Sequence, residues 1–149
     1  YKVGPHPVVR TWQILQKTGN MRTLNANSLP VIRSLEGLEW KPAYSRVSGD
    51  LPVSELPTNR RFDFEFTMAS FKIEVTTPGK FNFKVNDPTG LQVWFGGKNA
   101  ALAQTFDVEL AVGTHEVLVA ISTKIRQAPL RLELVPGDKG GQGRILGGQ

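Results

Sequence analysis

The chain has 149 residues, no cysteine and a net charge of +5 at neutral pH. The lack of cysteine excludes disulfides, thiolate metal sites, a cysteine nucleophile and covalently attached haem. Lysine and arginine number ten in residues 1–75 and eight in residues 76–149, so no segment concentrates positive charge as nucleic-acid binding requires, and we expect no nucleic-acid partner.

A chain of this length suits one domain. Its hydrophobic fraction of 40% and its eight phenylalanines supply enough core without a metal or a disulfide. No apolar run is long enough to cross a bilayer, and the chain starts at Tyr1 with neither an initiator methionine nor a signal segment. We therefore expect a domain cut from a longer polypeptide, and a monomer when it is isolated.

The N-terminal third predicts a lead-in followed by short strands. Residues 1–10 contain two prolines and a glycine and predict an extended lead-in. Residues 12–15 and 21–24 predict two strands joined by a turn. Residues 39–47 predict an edge strand, because Pro42 lacks the N–H group that a central strand would need.

The stretch 61–135 predicts a run of consecutive β-strands. Apolar and polar residues alternate within seven short segments, and turn residues separate the segments. Because successive side chains of a strand point to opposite faces, the pattern places every aromatic residue of the first three segments on one face and every charge on the other. We predict an all-β fold, an antiparallel β-sandwich with short helices or none. The apolar positions of the segments are Phe62, Phe64, Phe66 and Met68; Phe71, Ile73 and Val75; Phe81, Phe83 and Val85; Leu91, Val93 and Phe95; Phe106, Val108 and Leu110; Val117, Val119 and Ile121; and Leu130, Leu132 and Leu134.

The segment that starts at His115 is apolar on both of its faces. Leu118 and Ala120 lie between the alternating valines and isoleucine of this segment. Strands that are buried on both faces show such continuous apolar runs. This segment is therefore predicted to be a central strand.

Asp87-Pro88-Thr89-Gly90 is the clearest turn signal of the chain. It has Asp first, Pro second and Gly fourth, which is typical of a type I turn. Residues 137–149, in contrast, contain six of the fifteen glycines and no periodic apolar pattern. Such a composition is typical of a flexible linker. We predict a β-sandwich domain over residues 1–136 and a linker over residues 137–149.

Residues 81–98 and 110–117 resemble the PA14 type of β-sandwich, which is similar to a jelly roll. The shared features are a strand, an acidic turn, a strand that ends in a small-residue bend before Lys98, and a Gly-x-His start to a later strand. Residues 34–40 and 44–52 also resemble a sandwich module found inside large secreted bacterial proteins. Those proteins join a sugar-dehydrogenase-like propeller, helical repeats and a haem-c domain.

The resemblance implies a non-catalytic, carbohydrate-binding-like module that is extracellular or periplasmic. In PA14 domains two adjacent Asp residues of the acidic turn bind calcium, and the ion contacts sugar hydroxyls. This chain has Asp87 preceded by Asn86 instead. Asn86, Asp87 and backbone carbonyls are the candidate calcium ligands, and no other cofactor is expected. The alternative is that Asp87 caps an ordinary Asp-Pro turn.

Aromatic residues are the candidate sugar platform. Trp94 lies between Val93 and Phe95, so the alternation places it on the outer face. Trp12, Trp40 and Tyr44 are the other ligand-binding candidates, and a site needs two or more of these aromatics exposed side by side. The alternative is that the N-terminal segment covers Trp94.

No catalytic signature is present in the sequence. His6 and His115 are the two histidines, too few ligands for a transition-metal site without thiolates. No Gly-x-Ser-x-Gly motif marks a nucleophile. We predict that the chain is not an enzyme.

Two pairs of carboxylates in the sequence have a spacing that could serve catalysis. Asp63 and Glu65, like Asp107 and Glu109, are two residues apart on predicted strands, so each pair shares one outer face. A cleft over such a pair would allow glycoside hydrolysis. A solvated sheet face is the simpler interpretation.

Two functions therefore remain. The first is a carbohydrate-binding module that holds a parent enzyme on extracellular polysaccharide. The second is a structural spacer that docks neighbouring domains of the same polypeptide, a dehydrogenase-like propeller and a haem-c electron-transfer domain. An exposed aromatic platform beside Asp87 would favour the first, and an apolar outer patch that reaches the termini would favour the second.

Overall fold

The computed structural model describes residues 9, 11–16, 39–46, 49–61, 64–95, 98–100, 103–126, 128–135 and 141–146. These residues form eleven strands and one short 3-10 turn, Val53–Glu55, with no α-helix among them. The strands are β1 Thr11–Leu15, β2 Trp40–Tyr44, β3 Asn59–Arg61, β4 Phe64–Thr77, β5 Gly79–Val85, β6 Leu91–Phe95, β7 Lys98–Asn99, β8 Thr105–Leu110, β9 Gly113–Ser122, β10 Leu132–Val135 and β11 Gln142–Leu146. The prediction of an all-β fold is confirmed.

The strands form two antiparallel sheets. The larger sheet has the order β2-β1-β4-β9-β6-β7, with β3 and β11 also paired to β4. The smaller sheet has the order β10-β5-β8. Buried side chains from both sheets form one cluster, the main core, as expected for a sandwich. Its members are Val9, Trp12, Ile14, Leu51, Val53, Ala69, Phe71, Ile73, Val75, Phe81, Phe83, Val85, Leu91, Val93, Phe95, Phe106, Leu110, Val117, Val119, Ile121, Leu130, Leu132, Leu134 and Ile145.

The long strand β4 joins two segments that the sequence pattern separates. One of its edges pairs with β9 through ten consecutive residues, from Phe66–Ser122 to Val75–Gly113. The other edge is shared by three strands in succession: β3, β1 and β11. Every part of the larger sheet therefore connects through β4.

The two segments of β4 face opposite ways, so one prediction is wrong. Phe71 and Ile73 belong to the main core, whereas Phe66 and Met68 lie on the other face of the sheet. The strand is continuous, and the step of three residues from Met68 to Phe71 changes the face. The buried residues on this second face form the outer cluster, which consists of Leu15, Phe66, Met68, Trp94, Leu118 and Ala120.

Two predictions about strand positions are confirmed. Leu118 and Ala120 are both 4% exposed, and β9 lies between β4 and β6, so it is a central strand buried on both faces. Strand β2, which contains Pro42, lies at the end of the sheet and pairs with β1. The predicted strand at residues 21–24 lies outside the described residues.

The glycine-rich tail is not a linker over residues 142–146, where β11 pairs with β4. A Cβ atom on Gly141 would lie 2.4 Å from a ring carbon of Phe81, and one on Gly143 would lie 2.4 Å from the carbonyl oxygen of Glu74. Glycine at these positions allows the close approach of two chain segments. The glycines that suggested flexibility are needed here, because a Cβ atom at Gly141 or Gly143 would clash with the neighbouring strand.

We expect Ile145→Ala to lower the free energy of unfolding by about 2–4 kcal/mol, because Ile145 is 4% exposed in the main core. Chemical denaturation measures this change. Arg144→Ala is the matched control, since Arg144 is exposed and pairs with Glu74 at the surface; its loss should stay below about 1 kcal/mol. Equal, negligible losses in both variants would restore the linker interpretation.

Candidate functional site

The turn at Asp87 is displaced by one residue from its predicted position. Asp87 Oδ1 accepts a hydrogen bond from the Thr89 N–H at 2.9 Å. The turn closes from the Leu91 N–H to the Pro88 carbonyl at 3.2 Å, and Gly90 has a φ of 73°. Gly90 is therefore the third residue of the turn rather than the fourth, at the position where a left-handed φ favours glycine.

A buried arginine holds this turn against the loop that follows β9. Arg126 is 3% exposed, and its guanidinium donates five hydrogen bonds, as many as it has N–H groups. The acceptors are the Ala128 carbonyl at 3.1 Å, the Asp87 carbonyl, the Thr89 carbonyl at 3.0 Å, Asn86 Oδ1 at 3.1 Å and the Pro129 carbonyl at 2.7 Å. The sequence pattern did not single out Arg126, because an isolated arginine in a loop carries no periodic signal.

Asn86 strengthens the same connection. Its Oδ1 also accepts a hydrogen bond from the Arg131 N–H at 3.0 Å, and its Nδ2 donates to the Pro129 carbonyl at 2.8 Å. The side chain thus bridges the end of β5 and the segment before β10. It acts as a structural bridge in the described residues.

Two of the oxygens proposed for calcium already face a cation. Asn86 Oδ1 and the Asp87 carbonyl are directed at the guanidinium of Arg126, which already carries a positive charge. Calcium takes six to eight oxygen ligands, several of them carboxylates. In the described residues, no three His, Cys, Asp or Glu side chains come together around a common point. The arrangement instead supports the alternative that Asp87 caps its turn.

Hydrogen bonding and burial shift two pKa values at this site. Hydrogen bonds from the backbone N–H and the side chain of Thr89, and the positive charge of Arg126, hold the pKa of Asp87 below its ordinary value. Burial lowers the pKa of Arg126, while the charge of Asp87 opposes that change. The guanidinium stays protonated, because arginine does not lose its proton in proteins.

Acid should weaken the Asp87 turn. Because the folded-state pKa is depressed, the unfolded chain takes up the proton first, so this contribution to stability is full above the ordinary pKa and is lost as pH falls through the folded value. Asp87→Asn keeps an acceptor oxygen but does not titrate. We expect the free energy of unfolding to fall more steeply in the wild type than in Asp87→Asn between about pH 5 and pH 2. Parallel curves from urea titrations would contradict this assignment.

The four candidate aromatics do not form an exposed platform. Trp12 is 1% exposed in the main core, packs edge-on against Phe71 with ring centroids 5.3 Å apart, and donates from Nε1 to Ser45 Oγ. Trp94 is 5% exposed. Tyr44 is exposed, but no second exposed candidate accompanies it in the described residues.

Trp94 lies on the outer face, as the alternation predicts, but it is covered there. It belongs to the outer cluster with Leu15, and the half-buried Trp40 packs against the same cluster. Leu15 and Trp40 both come from the N-terminal third and are paired neighbours in β1 and β2. The buried position of Trp94 within this apolar cluster argues against the platform hypothesis.

We expect Trp94→Ala to cost about 3–5 kcal/mol of unfolding free energy, because it would remove a large buried side chain from the outer cluster. Tyr44→Ala is the control, since Tyr44 is 66% exposed; its effect should stay within about 0.5 kcal/mol. Thermal and denaturant unfolding of both variants measures the difference. If Trp94→Ala had the same free energy of unfolding as the wild type, Trp94 would again be a candidate ligand-binding residue.

An open groove lies on the outer face of the larger sheet, beyond Trp94 and beside the Asp87 turn. Gln92 pairs with Ala120 in the strands below it, and the small Ala120 side chain leaves a depression of about 380 Å³. The turn after β9 forms one wall. We call this feature the outer groove; it is lined by Glu65, Gly90, Leu91, Gln92, Ala120, Ser122, Lys124 and Ile125.

The polar side chains of the outer groove are available for binding. Those of Glu65, Gln92, Ser122 and Lys124 make no hydrogen bond or ion pair with the part of the chain that the structure describes. Ile125 beside them is 65% exposed. Residues that carry a carboxylate, an amide, a hydroxyl and an ammonium group thus line an open space with an aliphatic rim.

The carboxylate pair of the smaller sheet lies on a charged face. Asp107 and Glu109 are exposed and lie directly opposite Asn82 and Lys80 of β5. Cross-strand pairs of opposite charge stabilise a solvated face modestly. This position favours the solvated interpretation for Asp107 and Glu109. Asp63 of the other pair lies outside the described residues.

Comparison with known proteins gives no relative: neither the family models nor the curated proteins contain a match to this chain. Within the described ranges, no helix is long and apolar enough to span a membrane.

Proposed function

We propose that this chain is a non-catalytic carbohydrate-binding domain and that the outer groove is its binding site. The observation that carries the proposal is a set of four polar side chains, Glu65, Gln92, Ser122 and Lys124, that line one open groove and have no partner among the described residues. The site lies beside the acidic turn, where the resemblance to PA14 domains leads us to expect it. Its residues differ from the aromatics that the sequence suggested.

The chemistry of the outer groove suits a sugar ring. Each sugar hydroxyl donates and accepts hydrogen bonds, and the groove offers an acceptor in Glu65, a donor in Lys124 and both in Gln92. Hydrogen bonds to charged groups are the stronger ones. The exposed Ile125 gives an aliphatic surface for the C–H face of the ring.

The wider setting follows from the resemblance. A secreted bacterial protein that combines a dehydrogenase-like propeller with a haem-c domain would use such a module to stay on extracellular or periplasmic polysaccharide. The binding site would then need no chemistry of its own.

A docking domain is the second candidate, and one observation favours it. Gln13 of β1 pairs with Ser70, and Leu146 of β11 pairs with Lys72, so the two strands follow one another along the same edge of β4. Thr11 and Leu146 line one small groove at this junction. Chain segments that flank these two strands would meet on one side of the domain. This geometry suits a module attached at one side of its neighbours better than a spacer with ends at opposite poles.

The proposal predicts that Gln92→Ala and Lys124→Ala each lower the affinity for a bound polysaccharide about 3- to 10-fold, the effect of one lost hydrogen bond. Glycan arrays and pull-downs on insoluble polysaccharides identify the ligand, and titration calorimetry measures the change. Lys80→Ala is the control, because Lys80 is exposed on the smaller sheet. If the wild type binds no glycan, or if Lys80→Ala alone weakens binding, the outer groove is not the site and the docking function takes precedence.

A further inference from the structure

We propose that Arg126 is a built-in cation: its guanidinium occupies the centre of the Asp87 turn in place of a metal ion and makes the domain independent of calcium. The guanidinium is planar and carries five N–H groups in fixed directions. Each of them meets an oxygen of the turn or of the following loop. The match leaves no donor of the guanidinium unused.

The acceptors are the kind of oxygens that bind a hard cation. Four are backbone carbonyls, and the fifth is the amide oxygen of Asn86. Carbonyl and amide oxygens of this kind are also ligands of calcium. Burying a charge is costly unless it is hydrogen-bonded and compensated. Here the five oxygens solvate the charge, and the nearby carboxylate of Asp87 compensates part of it.

Arg126 also joins the two walls of the outer groove. Its backbone N–H donates to the Ser122 carbonyl at 2.9 Å, and the Ser122 N–H donates to the Gly90 carbonyl at 2.8 Å. A Cβ atom on Gly90 would lie 3.0 Å from the Cβ of Arg126. Gly90 and Ser122 both line the groove. Arg126 is therefore a positioning residue for that site, and this consequence alone rests on the proposed function.

The proposal predicts that the wild-type domain does not respond to calcium. Neither EDTA nor millimolar calcium chloride should change its Tm, and terbium luminescence should show no saturable binding. Arg126→Ala removes the cation and leaves the Asp87, Thr89 and Ala128 carbonyls without a donor in the described residues, so its Tm should fall by more than about 5 °C. Methylguanidinium at low millimolar concentration fits the vacated position and should restore part of the lost Tm. The same concentration of urea should not, and methylguanidinium should not raise the Tm of the wild type.

Arg126→Lys keeps the charge but provides three donors, so its Tm should fall between those of the wild type and Arg126→Ala. This variant supplies the comparison if Arg126→Ala does not fold. A rise in wild-type Tm with calcium, saturable terbium binding, or an Arg126→Lys Tm equal to that of the wild type would overturn the proposal. The Tm and terbium measurements use no sugar ligand. A failure of carbohydrate binding therefore leaves them unaffected, and loss of glycan affinity in Arg126→Lys tests the positioning role separately.

Discussion

The register between β4 and β9 is the constraint on which the rest of the structure depends. Ten consecutive residues of each strand pair without a bulge, and side-chain alternation then assigns every residue of both strands to a face. Strand β6 continues the same rows, with Trp94 beside Leu118 and Gln92 beside Ala120. The first row is apolar and buried, and the second combines the exposed Gln92 with the small, buried Ala120. Ala120 belongs to the outer cluster and also lines the outer groove, so the two features adjoin on one face of the sheet.

The alternation of apolar and polar residues predicts the strands of this fold. It does not predict which residues of neighbouring segments lie on the same face of a sheet. A period of two identifies a strand from about four residues, and it placed nearly every segment correctly. Whether Phe66 and Phe71 share a face depends on whether the chain turns between them, and residues 69 and 70 are small and compatible with either outcome. The prediction of a linker was wrong over residues 142–146 for a related reason. Glycine is typical both of linkers and of strands that pass close to a neighbour, and the contact of Gly141 with Phe81 is not local in sequence.

The candidate site was predictable to a smaller extent, because a site is made of non-local neighbours. The alternation correctly turned Trp94 outward, yet Trp94 is buried on that face in a cluster whose members range from Leu15 to Ala120 along the chain. The acidic turn was recognised, but the partner of Asn86 is forty residues further on. Glu65 was expected on the outer face, but it alternates with the outward Phe66 in β4, and the groove that Glu65 lines depends on the pairing of three strands. Residue type indicated which side chains were polar, and topology decided which of them meet.

The buried charge of Arg126 follows from the geometry of the backbone around it. The turn and the loop after β9 direct carbonyl oxygens into a shared interior that no strand neighbour can satisfy. An apolar side chain there would leave the carbonyls of Asp87, Thr89 and Ala128 without the hydrogen bond that each accepts from Arg126, at about 1–3 kcal/mol for every buried acceptor. One guanidinium pairs all of them, and the carboxylate of Asp87 lowers the cost of burying it. The shape of the outer groove at Gly90 and Ser122 thus depends on hydrogen bonds to a charge, whereas the neighbouring Trp94 row depends on apolar packing.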